Sequence, residues 1–552
     1  MGYQERYLAW MQGGFLTQEE IHILESLSEE EKEERFYQDL EFGTAGLRGI
    51  RGLGTNRMNV YIVRKVTQGY AQFLKERYAD RLAQGVYLAY DCRHFSREFA
   101  IEAARVFSGN GIPAKIFKHY GSTPQLSFAI LEEQAMGGLM LTASHNPADY
   151  NGYKAYNGKG CQLSPEEADL VFEKIDAIHR YQDIRYDDQE RLVSEASLAL
   201  DESFVKTLKS LHRKPVNDAL RIMYTPLHGI GGEMTLRVLG ELGYHVDVVH
   251  EQFAPDGDFP TAPKPNPEEE DALKLLLQQG EREKAHLLLA TDPDADRLGV
   301  LVRHQDAYRV VSGNQLGALL VDYLLNNRTV TRPAAIIKSV VTSDFAADIA
   351  RRHGLLVENT LTGFKFIGEK VDQLVQEGVQ VLFAFEESIG YLPGSYIRDK
   401  DGIGAAVVVS EMVGSYLREG KTLFDRLDEL YQEYGYYQEE TMNIVLEGQE
   451  GKNQMEGLMV DIRKRPLDFA GDLEVLRTTD FLDELPGYTV ADVLIYHMKN
   501  TSWFAIRPSG TEPKLKVYIS GVAKGKEEAD RYLQTIKEVI TFRLEQYLQA
   551  SL

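Results

Sequence analysis

One phrase recurs three times along the chain of 552 residues: a strand, a polar turn, a helix and a second strand. It runs first through 86–90, 91–96, 101–107 and 114–117, and again through 220–224, 225–232, 234–242 and 245–249. After Pro333 it returns as an apolar run at 334–341, a helix at 345–353 and a strand at 355–358. The recurrence is too widely spaced for a solenoid and predicts three successive α/β domains. The tail breaks the phrase, with strands around 441–446 and 504–518 and a terminal helix at 526–548, which predicts a smaller α+β domain. Four domains also suit the length, at roughly 150 residues each. The expected bounds are 1–213, 214–312, 313–435 and 436–552, with an acidic helix ahead of the first phrase at 26–40.

Charge narrows the partners. Against 84 Asp and Glu stand 61 Lys and Arg, a net −23 that repels nucleic acid and anionic membranes, so an anionic substrate needs a local basic pocket. Basic residues do gather in two loops, 43–54 with Arg48 and Arg51, and 396–402 with Arg398 and Lys400. Cys92 and Cys161 are too few for a disulfide framework or a thiolate metal site. The first 14 residues lack the apolar stretch of a secretory signal, and no run approaches the roughly 18 to 20 apolar residues of a membrane span. A cytoplasmic protein with no membrane, nucleic-acid or obligate protein partner is therefore expected.

Three polar turns between strand-like runs carry chemistry. The apolar strand at 139–141 runs into Thr142-Ala143-Ser144-His145-Asn146-Pro147, which puts Ser144 at a strand end, where α/β proteins place ligands. It is no hydrolase elbow, because Thr142 and Asn146 stand where glycines are required. Another strand, 285–291, leads into Asp292-Pro293-Asp294-Ala295-Asp296-Arg297. Three carboxylates on one tight turn call for a cation, since two charges about 4 Å apart repel by about 4 kcal/mol at an effective dielectric near 20. Arg297 and Arg303 occupy the Gly and Glu positions of an EF-hand, and a site of oxygen ligands alone suits Mg2+. The third turn, Arg507-Pro508-Ser509-Gly510-Thr511-Glu512-Pro513, offers a guanidinium, hydroxyls and a glycine, a plausible phosphate cradle.

Two weaker clusters, Thr362-Gly363-Phe364-Lys365 and Phe385-Glu386-Glu387-Ser388, also follow strand-like runs, and Glu386 with Ser388 suits paired sugar hydroxyls. Two nucleotide signatures fail. The run from Gly414 to Gly420, then Lys421 and Thr422, has five intervening residues where a P-loop has four and follows a helix-like segment. In 229–234, Met234 replaces the last glycine of a dinucleotide fingerprint.

Taken in order, the motifs at 142–147, 292–297, 386–388 and 507–513 resemble those of the α-D-phosphohexomutases, and the resemblance covers nearly the whole chain. Within that superfamily the chain is most similar to the bacterial phosphoglucomutase/phosphopentomutase branch. The resemblance implies three similar α/β domains with mixed sheets and a smaller C-terminal α+β domain around a central cleft. It implies that Ser144 is phosphorylated and that Asp292, Asp294 and Asp296 hold Mg2+ with the phosphoserine, Arg297 lying just behind them. Arg48, Lys154, Lys400 and His145 are the implied catalytic companions of Ser144. Thr362, Gly363, Lys365, Glu386 and Ser388 would bind the sugar, and Arg507, Ser509, Gly510 and Thr511 its phosphate. Some relatives carry a histidine just after the Glu-x-Ser motif, where this chain reads Ser388-Ile389-Gly390-Tyr391. The implied reaction interconverts glucose 1-phosphate and glucose 6-phosphate through glucose 1,6-bisphosphate. The same residues would also serve a phosphopentomutase or a glucose 1,6-bisphosphate synthase; a Mg2+-dependent sugar phosphatase or a non-enzymatic scaffold fits them less well.

Overall fold

Strands Val86–Tyr90 and Gly137–Leu141 are buried at every residue, as central strands of a sheet covered on both faces must be. In this computed structural model, which describes residues 2–40, 46–446, 448–508 and 514–550, the chain divides into two compact units. The first comprises Met1–Gly313, Val330–Ile337 and Gly363–Thr422, and the second Asn314–Thr329, Lys338–Thr362 and Leu423–Leu552.

Two mixed sheets organise the first unit. One has six strands in the order Leu47–Ile50, Tyr150–Asn157, Gly137–Leu141, Val86–Tyr90, Ala114–Ile116 and Val193–Glu195. The other has five, ordered Ala307–Val311, Leu298–His304, Leu287–Thr291, Arg221–Thr225 and His245–Val248. In both, the pairs toward one edge are parallel, from Gly137–Leu141 out to Val193–Glu195 in the first sheet and from Leu287–Thr291 out to His245–Val248 in the second. In both, too, one parallel strand ends in a short loop and returns antiparallel, Gly137–Leu141 into Tyr150–Asn157 and Leu287–Thr291 into Leu298–His304. A third hairpin of the same kind joins Gln380–Glu386 to Gly390–Leu392. The loops 142–149, 292–297 and 387–389 are thus equivalent corners of three related hairpins. Each holds one non-glycine residue in the left-handed region, Ser144 at φ 51°, Ala295 at φ 58° and Ile389 at φ 55°.

The first two repeats keep their predicted helices, at Ser96–Gly109 and Gly232–Leu242. The candidate P-loop is the end of the helix Gly402–Arg418, with Gly420 beyond it at φ 71°. That helix is buried along most of its length and starts at Asp401, whose carboxylate accepts from the N–H groups of Ile403 and Gly404, both at 2.8 Å. Its Glu411, 1% exposed, accepts from the backbone N–H groups of Arg213 and of Lys214, the latter at 3.0 Å. Glu411→Ala removes that acceptor, and a loss of about 2 kcal/mol is expected from the stranded donors. A lower urea midpoint, largely restored in Glu411→Gln, checks it.

The amino-terminal segment contains three helices, Tyr3–Gln12, Gln18–Glu25 and Glu29–Phe36, where one was expected at 26–40. Trp10, Leu24, Phe36 and Tyr61 form their common core. In the second unit, six antiparallel strands run in the order Tyr436–Val445, Lys514–Ala523, Trp503–Pro508, Leu494–Met498, Leu473–Asp480 and Phe469–Ala470. Leu458 of helix Gly448–Lys464 and Ile536 of helix Lys526–Ala550 share one core with Phe504 and Val517 of this sheet. No helix among the described residues is long and apolar enough to cross a membrane.

Candidate functional site

Hairpin geometry delivers the serine loop and the aspartate loop to one place. Ser144, 3% exposed, donates its Oγ hydrogen to Asp292 Oδ2 at 2.7 Å, and His145 Nδ1 lies 3.2 Å from the same Oγ. The backbone around Ser144 is tied down from both sides. Its N–H donates to Thr142 Oγ1 at 2.8 Å, and that hydroxyl donates to Asp91 Oδ2 at 2.6 Å. Its carbonyl accepts from Arg93 Nη2 at 2.6 Å. Arg48 Nη1 reaches Asn146 Oδ1 at 2.8 Å, and Arg51 Nη2 reaches the Ala148 carbonyl at 3.2 Å, so the described part of the basic loop lies over this turn.

Asp292, Asp294 and Asp296 are wholly buried and offer one oxygen each within 4.8 Å of the others. Asp292 Oδ1 accepts from the N–H groups of Asp296 and Arg297 at 3.1 and 3.0 Å, which folds the loop around it. Two lysine side chains face the triad. Lys154 Nζ lies 2.7 Å from Asp294 Oδ2 and 3.4 Å from Asp296 Oδ2, and Lys400 Nζ lies 3.1 Å from Asp296 Oδ2. Thr123, at the start of helix Thr123–Glu132, donates its hydroxyl to Asp294 Oδ2 at 2.8 Å and its N–H to the Asp294 carbonyl.

Burial, followed by the repulsion of Asp294 and Asp296, pushes Asp292 well above the usual carboxylate range. Burial acts the same way on Asp294, but Lys154 more than offsets it and holds that carboxyl low. Lys154 is correspondingly held above the usual lysine value, its desolvation outweighed by Asp294 and Asp296. Burial, then the charges of Arg297 and Arg48, hold His145 well below the usual histidine value. Asp294 Oδ1 and Asp296 Oδ1 are buried without a hydrogen-bond partner. Two orphaned carboxylate oxygens beside a third acid are what a hard cation with oxygen ligands would satisfy, so the triad could hold a metal ion.

The third hairpin places Glu386, 5% exposed, so that its Oε1 accepts from the Gly363 N–H at 2.7 Å. Burial raises the Glu386 pKa, with Lys400 opposing and Glu387 adding to the rise. Gly390 makes room for Lys400: a Cβ there would sit 2.3 Å from Lys400 Cδ. The lysine therefore crosses the hairpin that carries Glu386 and Ser388 and ends at Asp296. Lys365 is 7% exposed, with its Nζ 4.7 Å from the Phe366 ring centroid. Arg297 turns from the triad to Glu268, Nη1 to Oε2 at 3.2 Å. Arg398 is not part of this group; its Nη1 donates to the carbonyls of Ser395 and Ile397 within its own loop.

The first unit thus brings together Ser144, His145, Arg48, Lys154, Lys400 and the triad, with Gly363 and Glu386 joined beside Lys400. Thr362 and Arg507 belong to the second unit, Thr362 with a buried, unpartnered hydroxyl and Arg507 near the end of strand Trp503–Pro508. Ser509, Gly510 and Thr511 lie outside the described residues. Sequence reasoning missed Asp91, Arg93 and Thr123. The available signal was the run Asp91-Cys92-Arg93 directly after a fully buried strand.

Four family models match in order: the phosphoglucomutase/phosphomannomutase alpha/beta/alpha domains I, II and III at residues 39–182, 202–305 and 312–434, and the C-terminal domain at 447–539. A phosphoglucomutase of Staphylococcus saprophyticus is 37% identical over 515 residues, covering 90% of this chain and 93% of its own. One from Staphylococcus aureus is 33% identical over 519 residues, covering 90% and 92%. Among solved structures, parafusin, a phosphoglucomutase from Paramecium seen in an open form, shares the fold with a TM-score of 0.69 at 19% identity, covering 93% of this chain and 96% of its own. A phosphoglucomutase/phosphomannomutase family protein from Burkholderia thailandensis also gives 0.69, at 17% identity, covering 92% and 97%.

Proposed function

The chain belongs to the phosphoglucomutase/phosphomannomutase family, and from that premise we propose that it interconverts glucose 1-phosphate and glucose 6-phosphate through a phosphoserine at Ser144 and a glucose 1,6-bisphosphate intermediate. The observation that carries this reading is the 2.7 Å contact between Ser144 Oγ and Asp292 in a buried triad with two unsatisfied oxygens. Asp292, Asp294 and Asp296, with the phosphorylated Ser144, would hold Mg2+. When bound, the ion supplies positive charge that balances the transferring phosphoryl group and fixes its direction.

The chain's own residues do the rest. Phosphorylated Ser144 yields its phosphoryl group to the free hydroxyl of the sugar monophosphate: the Oγ–P bond breaks, a sugar O–P bond forms, and the hydroxyl proton leaves. We assign acceptance of that proton to Lys400 as the free amine, which hands it on to the released Ser144 oxygen; the course of the side chain from the Glu386 hairpin to Asp296 supports the role. Lys154 and Arg48 lend positive charge beside the triad and the serine turn. The bisphosphate then reverses, with Glu386 and Ser388 assigned to the sugar hydroxyls, and its other phosphoryl group returns to Ser144. Burial of Ser144 keeps water from the phosphoenzyme.

The test is formation of glucose 6-phosphate from glucose 1-phosphate with Mg2+ and a trace of glucose 1,6-bisphosphate, with ribose 1-phosphate in parallel. Turnover of the hexose well above the pentose supports the assignment. Turnover of the pentose alone, or release of inorganic phosphate instead, contradicts it.

A further inference from the structure

A serine in the left-handed region is uncommon, and such a backbone persists only where its surroundings hold it. Ser144 sits there at φ 51°, and one guanidinium holds the carbonyl side of its turn. Arg93, 2% exposed, donates to three carbonyls of the serine turn, those of Ser144, Asn146 and Pro147, at 2.6, 2.5 and 2.6 Å, and to that of Tyr150, which opens the returning strand, at 3.3 Å. Asp91, also fully enclosed, lies 3.3 Å from Arg93 Nε and accepts from Thr142, the residue that takes the Ser144 N–H. Both backbone groups of Ser144 therefore lead to one buried ion pair. The ring of Phe259, from the segment that follows strand His245–Val248 of the five-stranded sheet, lies 4.8 Å from the same guanidinium. The pair that sets the serine turn is thus packed against the domain that carries Asp292.

We propose that Arg93, braced by Asp91 and Phe259, is a positioning residue that aims Ser144 Oγ at the aspartate loop; the proposal deepens the phosphoserine reading and rests on it. Arg93 touches no reacting atom and acts through the backbone of the turn. Its planar fork suits four carbonyls spread around it, whereas a lysine has three donors on one nitrogen and cannot span them.

The test is Arg93→Lys, which keeps the charge and loses the fork. Misplacing a reacting group by about 1 Å costs on the order of 100-fold, so kcat is expected to fall by about that factor. KM for glucose 1-phosphate should stay within about threefold, because the sugar contacts lie elsewhere. Hydrogen exchange provides a readout independent of turnover: amides at 142–150 should exchange faster, while those of strands Val86–Tyr90 and Leu287–Thr291 keep their protection. Thr142→Val should move both readouts in the same direction, and the double variant should lose less than the product of the two. If Arg93→Lys does not fold, Thr142→Val and Phe259→Leu carry the test. Full kcat in the folded variants, or unchanged exchange at 142–150, overturns the proposal. A wild-type protein inactive on sugar phosphates overturns the functional reading instead, and the exchange result still decides what holds the turn.

Discussion

Ser144→Ala is expected to abolish mutase turnover, by at least about 10^4-fold, with the fold unchanged. The cycle needs an oxygen that can carry a phosphoryl group and surrender it, and alanine has none. The turn itself should survive, since its geometry is set by the backbone bonds to Thr142 and Arg93 rather than by Oγ. Binding of glucose 6-phosphate should therefore change little, as titration calorimetry would record. Turnover in Ser144→Ala within tenfold of wild type would remove this serine from the mechanism.

The second large effect concerns the triad. Three carboxylates within 4.8 Å, faced by Lys154 and Lys400, leave two oxygens unsatisfied. A ligand that binds only the folded state stabilises it by about 2.7 kcal/mol at 100 times its Kd. Mg2+ should accordingly raise the melting temperature of the wild-type protein, and chelation should lower it and stop turnover. Asp296→Asn removes one charge while leaving the bonds that fold the loop on Asp292 Oδ1. The variant should need at least about 100-fold more Mg2+ for half-maximal rate and lose the thermal response. An unchanged Mg2+ requirement would place the ion elsewhere.

How far the sequence carried varies from residue to residue. The aspartate loop was readable because its like charges conflict locally and flank themselves with apolar strands. The equivalence of the three loops was not, because it depends on the returning strands. Tyr150–Asn157 is buried yet carries Asn151, Lys154 and Asn157 inward, so it shows no apolar alternation to mark it as a strand. Helix Tyr3–Gln12 buries only Trp10 and so escaped a search for an apolar face. The next two helices did carry their start signals, Thr17 with Glu20 and Ser28 with Glu31, each forming a capping box. Arg93 was invisible for a different reason: its partners are carbonyls, and a sequence does not show which carbonyls a fold turns inward. Arg398 errs the other way, a basic residue in a promising loop whose charge is taken up by Asp372, 3.4 Å from its Nε, and by carbonyls of its own loop.

The central claim, a phosphoryl group cycling through Ser144, is tested most directly by labelling. The protein is incubated with Mg2+ and glucose 1,6-bisphosphate carrying radioactive phosphorus, then digested and the labelled peptide identified. The account predicts one phosphoryl group per chain, on Ser144, which unlabelled glucose 1-phosphate removes with recovery of the label in sugar phosphate. Label on another residue, or label released only as inorganic phosphate, would contradict it.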